Sequence, residues 1–134
     1  MVPPEVVLDI LARRMVETVE GATGFLIDGF PLDLEEAATF ERQVVPVTRI
    51  IHLKMDKREM HGRLTMRDNF DDKPGAIEKR IDTFTNKTLQ VVEKYVHKTV
   101  EIDAKVPVEE QSQLILEGLT GNLKHGGRGL FGFN

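Results

Sequence analysis

Apolar residues recur at helical spacing from the start of this chain. Val6, Val7, Ile10, Leu11 and Met15 share one side of a predicted helix that runs to about Val19. Pro3 and Pro4 suit its first turn, where a missing N–H costs nothing. Gly21 to Gly24 reads as a loop. The compact apolar run that follows predicts a buried strand, Gly24 to Ile27. Asp33, with Glu36 three residues on, marks the start of a helix to about Gln43, and Pro46 stops it. Arg49 to Lys54 is a second predicted strand, and Asp56 caps a helix running to Arg67. Asp71 to Gly75 reads as a turn. Ala76 to His97 is predicted as one long helix with Ile77, Ile81, Phe84, Leu89, Val92 and Tyr95 on its apolar side. Thr99 to Asp103 is a third, short strand, and Val108 to Leu119 a last helix. Strands alternating with helices imply an α/β fold: three parallel strands, flanking helices and right-handed crossovers. Residues 1–120 are expected to form the one domain. Residues 121–134 form a Gly-rich tail, disordered or docked on a partner through Phe131 and Phe133.

Composition narrows the picture mainly by exclusion. A chain of 134 residues holds one domain at most. A net charge of −4 gives no case for nucleic acid or for a membrane surface. There is no cysteine, so neither a disulfide framework nor a thiolate metal site is available. His52, His61, His97 and His125 show no metal-ligand spacing, and no metal site is expected. No apolar run reaches the length of a membrane span, and the N-terminus lacks the apolar core of a signal peptide. A cytoplasmic protein is the expectation. Met55, Met60 and Met66 read as core or gap-filling residues.

The candidate chemistry begins at Gly24-Phe25-Leu26-Ile27-Asp28-Gly29-Phe30-Pro31. An apolar strand running into an acid marks the edge where open α/β sheets place their ligands. Gly29 allows a turn closed to other residues, and Pro31 fixes its exit. An ordinary turn, with Asp28 capping the next segment, is the alternative. Arg63 and Arg67 stand four apart on a predicted helix and so share a face. With Arg80 they offer planar, permanently charged forks suited to phosphate oxygens. A solvated helix face, with Arg80 bridged to Asp71 or Asp72, is the competing reading.

From Val2 to about Leu119 the chain resembles the C-terminal two-thirds of the adenylate kinases, nucleoside monophosphate kinases of the P-loop class. The resemblance is carried by Val2 to Leu11, Gly24 to Pro31, Phe40-Glu41-Arg42, Arg63-Leu64-Thr65-Met66-Arg67, Asp71-Asp72 and Ile77-Glu78-Lys79-Arg80-Ile81, in matching order and spacing. It implies that Arg63, Arg67 and Arg80 clamp the transferring phosphate. It also implies that Asp28 and Gly29 lie near magnesium and phosphates, and that Asp71 and Asp72 latch the arginines of a lid.

The departures are as informative. No Gly-x-x-x-x-Gly-Lys-Ser/Thr occurs, so the phosphate loop of the class is absent from this sequence. In the family that loop follows the central strand, so the sequence is expected to begin in mid-fold. A partial P-loop kinase fold follows, its central strand missing between Gly24–Ile27 and Arg49–Lys54, with a gap of roughly 10 Å at ordinary strand spacing. The family's monophosphate-binding arginine is replaced by Leu32, its adenine-bonding glutamine by Glu36, and a lid arginine by Asn69. The resemblance therefore implies a non-catalytic domain, a protein-interaction or structural subunit of a larger assembly. Family analogy offers the ciliary axoneme as one setting. Its expected partners are other protein chains, one of them supplying a strand, with nucleotide binding weak or absent. The alternative is a fragment of an active kinase moving phosphoryl from ATP to AMP. That reading requires ATP and magnesium; for this chain alone no cofactor is expected.

Overall fold

A computed structural model describes residues 2–67 and 73–121. Helix α1 spans Pro4–Thr18, with Pro3 as its N-cap and Pro4 in its first turn. Helix α2 spans Leu34–Gln43 and is capped as the sequence predicts, the Asp33 carboxylate accepting the Glu36 N–H at 2.9 Å. Strand β1, Ile50–Lys54, leads into α3, Lys57–Met66, whose N-cap is Asp56. Helix α4 covers Pro74–Thr83 and α5 covers Leu89–Lys94. Strand β2 is Thr99–Asp103, and α6 is Val108–Thr120.

Strands β1 and β2 run parallel in register, Ile50 opposite Thr99 and Lys54 opposite Asp103. The crossover that parallel pairing demands is supplied by α3, α4 and α5. On β2, Val100 and Ile102 are almost wholly buried, the period-two burial of a strand between layers. Helix α6 packs on β2 closely enough for Gly118 to face the Val100 side chain, leaving no room there for a Cβ.

Away from β2, two clusters of buried side chains stand out among the described residues. Leu8 and Met15 of α1 pack with Phe40 of α2, joined by Ile27, Phe30 and Val47. Phe30 and Phe40 meet edge to face at 5.7 Å. Ala37 of α2 packs separately against Val91 and Tyr95, beside Leu34 and Ile50.

Three sequence expectations change. The described sheet has two strands, not three. Gly24–Ile27 carries no strand pairing, because a strand is made by a neighbour's hydrogen bonds and none of the described residues offers them. The long helix starts at Pro74, runs through a π-turn at Phe84–Thr88, and ends at Lys94 before a 3₁₀ turn at Val96–Lys98. There Val91, not Val92, is the buried residue, because α5 meets α2 along the side Val91 shares with Tyr95. Met66 is 86% exposed at the end of α3 rather than filling the core. The Asp71-Asp72 pair, Asn69 and nearly all of the Gly-rich tail lie outside the described residues.

Candidate functional site

The two strands end side by side, and the chain beyond them is tied down on both branches. The Ala104 N–H donates to the Lys54 carbonyl at 2.9 Å, prolonging the ladder by one step. Asp56 accepts the Glu59 N–H and, at 2.8 Å, the Lys105 ammonium from the far branch. The Lys105 hydrogen bond, seconded by the Glu59 N–H, holds the Asp56 carboxyl below its ordinary range, and the same contact raises Lys105. The start of α3 is thereby pinned to the C-terminal edge of the sheet, where open α/β sheets carry ligands.

Arg63 projects from α3 at this edge. Its Nε donates to Glu59 Oε1 at 2.9 Å and its Nη2 to the Ala104 carbonyl at 3.1 Å. A guanidinium has five N–H donors, so these two bonds orient the fork and leave donors for a ligand. The side chain is half exposed. Arg63 and Arg80 line one cleft of about 330 Å³, and Met55, Met60, Leu64, Ile81 and Phe84 complete its walls. The accessible lining of this cleft is apolar, so the two arginines border it through their aliphatic stems.

Other residues singled out in the sequence lie apart from this cleft. Arg67 is the exposed C-cap of α3, its N–H donating to the Arg63 carbonyl, and it does not line the cleft. Asp28 is exposed and, among the described residues, makes no hydrogen bond or ion pair. Gly29 takes a φ of 77°, a conformation that suits glycine, before a cis Phe30–Pro31 bond. Neither Asp28 nor Gly29 lines the cleft.

Glu36 and Leu32 have work of their own. Glu36 Oε2 accepts the Leu32 N–H at 2.7 Å, reciprocating the cap from Asp33. Thr88 in the π-turn donates its hydroxyl to the Leu32 carbonyl at 2.7 Å. This segment is thus organised around its own backbone, and the Leu32 side chain is left at the surface.

Two carboxylates that sequence reasoning passed over organise the molecule. Glu59 orients Arg63, a pairing that its i,i+4 spacing could have revealed. Glu41 accepts the Tyr95 hydroxyl at 2.6 Å and the Val47 N–H at 3.0 Å, with the Lys98 ammonium 3.8 Å away. The Tyr95 bond, then the Val47 bond, depresses the Glu41 carboxyl, while the hydrogen bond to Glu41, with burial, pushes the Tyr95 phenol up to about 12. On the sheet, buried His52 meets Glu101 across the strands at 3.2 Å, and Lys54 reaches the same carboxylate at 3.0 Å. Desolvation raises the Glu101 carboxyl, but Lys54 and His52 outweigh it and leave it below its ordinary value. His52 also stacks obliquely on Phe84, whose side chain lines the arginine cleft.

Comparison with known proteins finds the adenylate kinase family matching residues 1–100. The chain is 36% identical over 115 residues to "Adenylate kinase 1" of Schistosoma mansoni, covering 81% of this chain and 58% of that protein. It is 33% identical over 129 residues to the "UMP-CMP kinase" of Lentinula edodes, with 84% and 57% covered. "Adenylate kinase isoenzyme 1" of Gallus gallus is 30% identical over 121 residues, with 86% and 62% covered. The chain thus spans less than two-thirds of the length of these relatives.

Proposed function

The chain belongs to the adenylate kinase family, and on that premise we propose that it handles nucleotide phosphates, supplying the arginine clamp of a nucleoside-monophosphate-kinase site. The observation that supports this reading is that Arg63 and Arg80, from two helices, border one cleft, with Arg63 held at the C-terminal edge of the sheet by the Ala104 carbonyl. Two guanidinium forks across a phosphoryl group spread over its oxygens and stabilise charge that builds during transfer. The residues present fit the phosphate end of ATP. Its magnesium would be carried largely by the phosphates and water; among the described residues no group of three or more His, Asp or Glu side chains stands ready to hold an ion by itself. The backbone amides and lysine that cradle a triphosphate in this class belong to a motif these 134 residues do not contain. The chain on its own therefore binds phosphates without transferring them, and transfer from ATP to a nucleoside monophosphate requires that motif from elsewhere.

Glu36 and Leu32 favour a second reading, a non-catalytic protein-binding module. The positions that would hold the monophosphate are given over to an N-cap and a surface leucine.

Titration calorimetry with ATP on the wild type, Arg63→Ala and Arg80→Ala separates the two. On the first reading each substitution weakens ATP binding by roughly tenfold or more, the loss of one charge-assisted fork. Equal affinity in all three proteins, or no binding by the wild type, removes the phosphate-clamp reading.

A further inference from the structure

Among the described residues, His52 is the only buried side chain able to carry a positive charge, and it is 8% exposed. Ile50, two residues before it and so on the same face of β1, packs among Ala37, Val91 and Tyr95. An imidazole in such surroundings carries a desolvation cost that a partner must offset. The partner is Glu101, whose Oε2 lies 3.2 Å from His52 Nδ1, while Lys54 reaches the other oxygen at 3.0 Å. The His52 ring also lies 6.1 Å from that of Phe84, tilted by 41°. Phe84 opens the π-turn, a feature that often marks functional positions in helices, and its side chain lines the arginine cleft with Leu64 and Ile81. His52 is thus one ring removed from the cleft, with Phe84 between.

The elements around His52 bring it different charges. Strand β2 supplies Glu101, and β1 itself supplies Lys54. The π-turn presents Phe84, which is uncharged. Helices α2 and α5 meet this face of β1 through apolar side chains, and the Glu41 carboxylate of α2 is engaged by Tyr95. Beyond Phe84 stand Arg63 and Arg80, and between α3 and α4 half-exposed His61 meets Glu78 at 3.3 Å. A neutral His52 can give Glu101 one N–H. A protonated one becomes a second cation on that carboxylate and sets a positive charge against the Phe84 ring, whose face attracts cations. We propose that His52 is a positioning residue for the arginine cleft: on taking up a proton it draws the Phe84 ring to itself and so resets the wall of the cleft that Arg63 and Arg80 border. Acid then favours a bound anion twice, through the fixed wall and through the positive charge added behind it. That effect on ATP rests on the phosphate-clamp reading; the movement of the wall does not.

The test is an NMR titration of the full 134-residue chain between pH 5 and 8, the range in which imidazoles ordinarily titrate. The His52 ring carbons report its protonation, and the methyl groups of Leu64 and Ile81, which share the cleft with Phe84, report the wall. The methyl shifts are expected to follow the His52 midpoint, to do so undiminished in His61→Gln, and to lose the step in His52→Phe, which keeps a ring and takes up no proton. Glu101→Gln keeps an acceptor for the imidazole and removes the charge that favours its protonated form, so both midpoints should move together to lower pH. An imidazole that only fills its site would leave the methyls indifferent to pH. In parallel, calorimetry with ATP should show the affinity of the wild type relative to His52→Phe rising by roughly threefold or more from pH 8 to pH 5.5. Taking that ratio cancels the protonation of ATP itself. The proposal is overturned by methyls that ignore the His52 midpoint, by a step that survives His52→Phe or disappears with His61→Gln, or by an affinity ratio equal at the two pH values. Failure of the wild type to bind ATP at either pH removes the phosphate-clamp reading, and the methyl titration then decides by itself whether His52 sets the wall.

Discussion

Tyr95 is the only tyrosine in the chain, and there is no tryptophan, so its ionisation can be read directly from tyrosinate absorbance. Its hydroxyl donates to Glu41 at 2.6 Å, and the ring is 9% exposed against Ala37 and Val91. The hydrogen bond to a carboxylate favours the neutral phenol, as do burial and the carboxylate charge, and together they push its pKa from 10.0 to about 12. A shift of that size corresponds to about 3 kcal/mol between the two protonation states. The folded value is raised, so the stability this phenol contributes is fully present below pH 10 and is lost as pH rises through about 12. Spectrophotometric titration in native buffer should give a midpoint near 12, returning to the ordinary phenol value in strong denaturant. Glu41→Gln keeps an acceptor and removes the charge, so its midpoint should fall part of the way back. Tyr95→Phe should cost about 1–2 kcal/mol at neutral pH, the range for a hydrogen bond to a charged partner that water can in part replace. A native midpoint near 10, or a Glu41→Gln titration superimposable on the wild type, refutes the account of how α2 and α5 are joined.

Acid acts on the same pair from the other side. The Glu41 pKa is lowered, so its stabilisation is present above the ordinary carboxylate value and is lost as pH falls through the depressed one; Glu41→Gln should flatten that acid limb in denaturant melts. Gly118→Ala drives a Cβ into the Val100 methyls and should cost about 1–3 kcal/mol in urea unfolding, with Val100→Ala recovering part of the loss. Glu36→Ala removes the acceptor of the Leu32 N–H and should cost about 1 kcal/mol, while Glu36→Gln, which keeps a carbonyl there, should cost less than half of that. Arg63→Ala should destabilise by about 1–2 kcal/mol through the lost Ala104 contact, with Arg63→Lys giving little back because an ammonium cannot span Glu59 and the carbonyl as a fork does.

How much of this could be read from sequence depended on how local the determining contacts are. The cap at Asp33 and Glu36 acts within four residues, and β2 announces itself by the alternation that buries Val100 and Ile102. The helix α3 and its Asp56 cap are legible for the same reason. Gly24–Ile27 has a strand's composition, but strand formation belongs to a pair of segments, and the pairing cannot be read from one of them. The π-turn at Phe84–Thr88 has no signature in Phe-Thr-Asn-Lys-Thr, and its Thr88 matters because it reaches Leu32, far away in sequence. The meeting of Arg63 with Arg80 is likewise tertiary. The sequence offered Arg63, Arg67 and Arg80 together; that Arg63 and Arg80 border one cleft while Arg67 does not depends on how α3 packs on α4. Glu36 shows the opposite case: it stands where the family has an adenine-bonding glutamine, and the structure gives that carboxylate a capping role.

The central claim is that Arg63 and Arg80 form one phosphate clamp in an adenylate-kinase fold that needs a further segment to transfer phosphoryl. The most direct test is AMP formation from ADP, with magnesium, by the 134-residue chain alone and joined through a flexible linker to the unmatched portion of the Schistosoma mansoni relative. The account expects no AMP from the chain alone, AMP from the joined protein, and a loss of that activity by orders of magnitude in Arg63→Ala or Arg80→Ala. Turnover by the chain alone, or activity in the joined protein that neither substitution lowers, would contradict it.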